Sequence, residues 1–298
     1  MAKAMQLIGN RASGVVLMPS SRPPLSRAEA LHHQIARHVR NDIEAGVLRD
    51  GEVLPSTREL AEQWGVSVFT ITEAMKMLAE EGLVESKSRS KRVVRAGEQS
   101  RRDEIRLPNP HVILIGGYAG SGKTELGRIL ARETGWPMLD KDTLTRPLVE
   151  AALEAHGHSP HDRESALYLT EIRPREYEAL AAATTENVEC GTSAIVTAPF
   201  IREFNDPAWL GRTEAAFAAL NATATLVWVY CDVRTMHTYL RRRGAARDHA
   251  KLADWPTYRT SIDTEFRPAA PHLVIDNCTS SVPLQSQAKA LLATITGR

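Results

Sequence analysis

The chain has 298 residues, 43% of them apolar and 24% charged, with 37 Lys and Arg against 36 Asp and Glu. That length exceeds one small core and suits two domains of ordinary soluble composition, while no apolar run approaches the roughly 20 residues that span a bilayer. The small net charge of +1 is unevenly spread: between Ser86 and Arg106 eight basic residues accompany three acidic ones, a strip suited to a polyanion.

Residues 1–25 read as a flexible arm. Asn10, Arg11 and Gly14 interrupt their apolar patches, so the continuous apolar core of a signal peptide is missing and a cytoplasmic location without membrane contact is expected. From Ser26 to Ala45, Leu31, Ile35, Val39 and Ile43 step by four and paint one helical stripe, which Gly46 ends. In LPSTRELAEQWG, Ser56 and Glu59 have capping-box spacing, and Leu60, Ala61 and Trp64 form the inner face. After Gly65, a third helix opens on Ser67, turns Ile71, Ala74, Met75 and Leu78 inward, and stops near Gly82. Two short helices across a tight turn make a helix-turn-helix, and LVESKSRSKRVVRAG predicts two strands around a basic tip, a wing.

These pieces, above all GVLRDGEVLPSTRELAEQWGVS and AMKMLAEEGLV, resemble the winged-helix DNA-binding domain of GntR-family bacterial regulators. The resemblance implies operator DNA as a partner, with DNA contacts from Arg58, Ser67 and Thr70, Arg58 and Thr70 mainly on phosphates; the basic strip adds the wing residues Lys87, Arg89, Lys91 and Arg92 as expected DNA contacts. The resemblance also implies a homodimer. The family usually carries arginines where this chain has Val68 and Thr72, and wing glycines where it has Ser88 and Ser90. Bidentate reading of guanine from those two helix positions is therefore excluded, so DNA binding with unusual or weak base specificity is expected, and a domain kept only for dimer packing is the alternative. The winged-helix domain is placed at 26–97, with a basic linker at 98–109.

The second domain, 110–298, opens with HVILIGG, a β-branched run leading into GYAGSGKT (Gly117, Tyr118, Ala119, Gly120, Ser121, Gly122, Lys123, Thr124) and then a helix bearing Leu126, Ile129 and Leu130. This is a phosphate-binding loop in its strand–loop–helix setting. Glycines let backbone N–H groups close on phosphate oxygens, Lys123 brings a charge to the β and γ phosphates, and Thr124 offers a hydroxyl to Mg²⁺. ATP and Mg²⁺ are the expected ligands. Strands at PMLDKD, SAIVTAPF, ATLVWVYCD and HLVIDN alternate with helices, which predicts an α/β fold: a P-loop NTPase domain whose parallel sheet is covered by helices on both faces.

This domain resembles the small P-loop kinases that include chloramphenicol phosphotransferase and the zeta toxins. The likeness implies phosphate contacts from Arg243 and Arg247, an acceptor-side carboxylate at Asp142, Mg²⁺ near Thr124 and Asp140, and adenine near the loop after Asp276. Relatives often end their third strand in aspartate, where this chain has Thr197. The HGHSPHD run (156–162) reads as a solvated loop. Cys190, Cys231 and Cys278 have no CxxC spacing and read as buried thiols. The expected protein is a GntR-type regulator whose kinase-like domain senses ATP or its ratio to ADP. The alternative is a small-molecule kinase that represses its own gene.

Overall fold

The computed structural model describes residues 30–44, 47–48, 50–87, 92–95, 107–244 and 248–297. They fall into two compact units, one holding residues 30–95 and one formed mostly by residues 107–297. Predicted contacts at Arg89, Lys91 and Arg247 lie outside the described residues, as do the arm and most of the linker.

The front unit is three helices and a small sheet. Helix α1 (Leu31–Glu44) buries Ile35, Ala36, Val39 and Ile43, most of the predicted stripe. After strand β1 (Val53–Leu54), α2 (Thr57–Trp64) starts on a complete capping box: Glu59 N–H donates to Ser56 Oγ at 3.3 Å, and Ser56 N–H donates to the Glu59 carboxylate at 2.7 Å. Gly65 (φ 61°) turns the chain into α3 (Val68–Glu80), whose Ile71, Ala74, Met75 and Leu78 meet the same core. Arg40 makes a forked pair with Glu81, one arm at 2.7 Å, tying α1 to the end of α3. Strands β2 (Val84–Ser86) and β3 (Arg92–Val94) pair antiparallel, and β1 joins the far side of β3.

In the rear unit, strand β4 (His111–Gly116) is buried along its whole length. Helix α4 (Lys123–Thr134) follows, then β5 (Met138–Asp140), α5 (Lys141–Ala155), a π-helical turn (Tyr168–Ile172) continuous with α6 (Arg173–Glu189), and β6 (Ala194–Thr197). Helix α7 (Pro207–Ala219), β7 (Thr223–Tyr230), α8 (Val233–Arg243), α9 (His249–Ala253), α10 (Trp255–Ser261), β8 (Leu273–Asp276) and α11 (Leu284–Thr296) complete it.

The five strands run parallel in the order β5-β6-β4-β7-β8. On one face Ile113, Ile115, Leu126 and Ile129 pack with Leu284, Ala288 and Leu291 of α11; on the other, Leu114, Leu180, Val196, Phe217 and Trp228 form a second core. Strand β4 sits at the centre, and the chain winds outward from it in both directions. The crevice above its C-terminal end is where a sheet of this kind takes a ligand. No described helix is long and apolar enough to cross a membrane.

Of the three cysteines only Cys231 is buried, with its thiol pushed up to about 12 by that burial. Cys278 is half-buried. Cys190 is exposed, contrary to expectation, because it falls just past Val188, the last buried residue of α6.

His111, at the start of β4, is held between the Thr223 and Thr225 hydroxyls at 2.8 and 2.9 Å, and burial lowers its pKa from the ordinary 6.5. With the folded pKa below the unfolded one, the unfolded chain takes up the proton first, so His111 costs stability as pH falls through about 6.5. Thermal unfolding should therefore show a shallower loss of Tm between about pH 7 and 5 in His111→Gln than in the parent chain.

Candidate functional site

The loop between β4 and α4 is squeezed from three sides. Gly117 has φ 148°, and a Cβ there would lie 2.6 Å from both Val229 O of β7 and Ser121 Oγ. Gly122 has φ 100°, and a Cβ there would lie 2.1 Å from Asn277 Nδ2. Asn277, just past β8, donates to Ser121 O at 2.9 Å, while Gly117 N–H donates to Pro199 O at 3.0 Å, just past β6. The loop is thus pinned by the ends of its neighbouring strands. Lys123 folds back over it, donating to Tyr118 O at 2.8 Å. Thr124 is half-buried in the first turn of α4. Ser121 Oγ is buried without a hydrogen-bond partner among the described residues, so the loop encloses an unanswered polar atom.

Beside the loop, the ends of β5 and β6 meet through Asp140 and Thr197. Asp140 caps α5: its Oδ1 accepts from Thr143 N–H at 2.9 Å and from the Thr143 hydroxyl at 3.0 Å. Thr197 donates to its Oδ2 at 2.7 Å. Asp142, one residue into the helix, pairs with Lys141 at 2.9 Å. Lys141 is itself buried and donates to Glu176 of α6 at 2.6 Å, and Glu176 also accepts from Thr145 (2.8 Å) and Tyr168 (2.7 Å). Burial, with Glu176 alongside, holds the Tyr168 hydroxyl well above the usual tyrosine range. Arg173 donates to Glu203 at 2.7 Å and lies 4.4 Å from the Tyr177 ring centre. Arg243 occupies the last turn of α8.

In the front unit, Ser67 caps α3, accepting from Thr70 N–H at 3.1 Å, with the two hydroxyls 2.8 Å apart. Arg58 and Lys87 are exposed. Arg92 is not: it is half-buried and donates to Thr57 Oγ1 at 2.6 Å, bracing β3 against the start of α2.

Residues 31–94 match the model of the bacterial regulatory proteins of the gntR family, and residues 112–263, more than half of the chain, match that of an AAA domain. The chain belongs to the AAA domain family, with a gntR-family domain in front.

Its AAA domain is similar to the shikimate kinase of Moorella thermoacetica, 34% identical over 104 residues, which are 34% of this chain and 58% of that enzyme. The gntR-family domain is similar to the HTH-type transcriptional regulator GgaR of Escherichia coli K12, 43% identical over 54 residues, 18% of this chain and 22% of that protein. The chain therefore spans just over half of the first relative and under a quarter of the second. Among solved structures, the APS kinase CysC of Mycobacterium tuberculosis is 18% identical and aligns over 63% of this chain and 99% of its own, with a TM-score of 0.42. A DNA-binding domain of GntR type and a kinase-like nucleotide-binding domain are thus both present.

In the AAA domain, the bare glycines and the unanswered Ser121 hydroxyl fit nucleotide phosphates. Asp140 fits a metal less directly. Three of its roughly four acceptor positions are taken, which leaves it suited to a metal's water rather than to the ion itself. Local spacing does not reveal the contacts of Asn277 and Glu176, because their partners lie far away in sequence. A signal does exist for Asp140: an aspartate three residues before a threonine at a helix start is a cap pattern.

Thr197→Val keeps the shape but removes the donor to Asp140, and should lower stability by about 1 kcal/mol in denaturant unfolding. Thr197→Asp should cost more in EDTA, because two carboxylates then face each other, and millimolar Mg²⁺ should recover part of the loss.

Proposed function

We propose that the protein is a DNA-binding transcriptional regulator in which the AAA domain binds ATP as the sensed effector. It would act as a homodimer on operator DNA in the cytoplasm. The observation that carries this reading is the pairing of a complete, tightly pinned phosphate loop with Thr197, a neutral hydroxyl, at the strand end where related kinases often have a carboxylate. Lys123 and the loop N–H groups would hold the phosphates, with Thr124 and, through water, Asp140 on the side of Mg²⁺. Fewer carboxylates near the metal favour holding the nucleotide over transferring its phosphoryl group. The effect on DNA follows only if the nucleotide binds the DNA-competent and incompetent states unequally, and a tenfold difference is about 1.4 kcal/mol.

A second reading, a small-molecule kinase that controls its own gene, is favoured by Asp142. It sits two residues past the end of β5, in the first turn of α5, and pairs with Lys141, which is itself held by the buried Glu176. The two readings separate in one set of measurements. Calorimetry should show ATP binding that Lys123→Ala weakens by about 2 to 5 kcal/mol. ATP and a non-hydrolysable analogue should shift DNA affinity alike and ADP less, with turnover far below the roughly 1 to 100 per second of working kinases. Rapid ADP release with a hydroxylated small molecule, lost in Asp142→Asn, would replace the sensor with the kinase.

A further inference from the structure

Helix α3 presents to solvent a face with an unusual composition for an element of a DNA-binding domain. Its inward residues Ile71, Ala74, Met75 and Leu78 are buried. On the other side, Phe69 is 72% exposed and Val68 49% exposed, and both are among the large apolar side chains left in water. Thr72 follows at i+3 and Lys76 at i+7 from Phe69, both exposed, so the three form one stripe. The Thr72 hydroxyl donates to Val68 O at 2.9 Å, which ties its polar end to its own helix and leaves its methyl as the outward group. The hydroxyls at the start of this helix are engaged within it: those of Ser67 and Thr70 lie 2.8 Å apart, and that of Thr72 is tied to Val68 O.

What such a face can read is the thymine C5-methyl, the one apolar group on a base edge in the major groove. We infer that Phe69, Val68 and Thr72 form an apolar reader of thymine methyls, so that the operator half-site is specified by thymines where the family's arginines would specify guanine. The inference rests on the DNA-binding half of the proposed function. Charge on the same unit supports DNA as the occupant. Lys76 lies about 10 Å along the helix from Phe69, roughly three base-pair steps, and Arg58 and Lys87 are exposed as well. Exposed cations on the same unit as an apolar patch suit phosphates flanking bases. A purely apolar protein partner would not call for them.

The experiment selects duplexes from a random library with the full chain, then replaces single thymines of the enriched site by deoxyuridine, which deletes the methyl and leaves the pairing edge intact. Affinities are compared at one salt concentration. Enriched half-sites should carry adjacent thymines, and each methyl under the helix, once removed, should weaken binding about fourfold, equivalent to about 0.8 kcal/mol for one buried carbon. Phe69→Ala should bind more weakly and lose that sensitivity, whereas Phe69→Leu keeps part of it. The doubly substituted Val68→Arg, Thr72→Arg chain should enrich guanine instead. An invariant guanine in the parent's site, no effect of deoxyuridine, or a Phe69→Ala chain that changes oligomeric state while keeping the deoxyuridine effect would overturn the inference. Salt-dependent binding without any enriched sequence would also overturn it and leave DNA binding standing. If the chain fails to retain any duplex at low salt, the DNA-binding reading falls as well.

Discussion

The kinase-like unit depends on a steric condition: the phosphate loop is approached so closely that three of its positions have no room for a side chain. Val229 O presses on Gly117, Met236 O on Gly120 and the Asn277 amide on Gly122. These neighbours belong to β7, to α8 and to the turn after β8, while Pro199, which accepts from Gly117 N–H, belongs to the turn after β6. The loop is therefore shaped by the register of the parallel sheet rather than by its own sequence alone. Since β4 pairs with both β6 and β7, any slip of either strand would reach the loop directly. The same closeness leaves Ser121 Oγ buried and unanswered among the described residues, a cost that makes physical sense if a ligand answers it.

Next to the loop, a chain of carboxylates is managed in two different ways. Asp140 is held in place by donors that carry no charge, Thr143 and Thr197. Glu176 is matched by a cation, Lys141, and by the Thr145 and Tyr168 hydroxyls. A buried pair of this kind contributes little net stability compared with apolar packing, yet losing one partner is expensive because the other charge is stranded. Its physical effect is to fix α5 against α6, and with them the position of Asp142. Phe200, at φ 49° just after β6, is a bulky residue in left-handed backbone, held by stacking on Phe204 with ring centres 5.0 Å apart. Strain at such a position is tolerated where surrounding packing over-determines it, and it tends to accompany ligand sites.

The architecture is largely legible in the sequence. The four-residue stripe of α1, the Ser56–Glu59 box and the glycine-rich loop between a β-branched run and a helix are all local signals, and local signals survive folding. The site is legible only where chemistry is equally local. The loop residues can be found because they are contiguous. Asp140 reads as a metal ligand because carboxylates at strand ends invite that reading, but in the structure its first duty is to cap α5. Lys141, set between two aspartates, carries no local sign of burial; its burial is decided by Glu176, 35 residues on, which no spacing rule connects to it. Arg92 illustrates the same limit in the front unit, where a wing cation is drawn inward by Thr57 of a different element.

Thr197 links these observations to the choice between sensing and catalysis. A carboxylate at that strand end would sit against Asp140, and two like charges at hydrogen-bond distance need a cation between them to remain ionised. In this chain the hydroxyl donates to Asp140 instead, so the arrangement is electrostatically satisfied before any metal arrives. On the proposed reading, a site balanced in this way would gain less from recruiting Mg²⁺ and would supply less field to a phosphoryl group in transfer, while the glycine-rich loop beside it would be unaffected. On that reading, binding and turnover are thereby separable at one position: the glycines and Lys123 would set how well a nucleotide is held, and the Thr197–Asp140 contact would set how far the site could go beyond holding it.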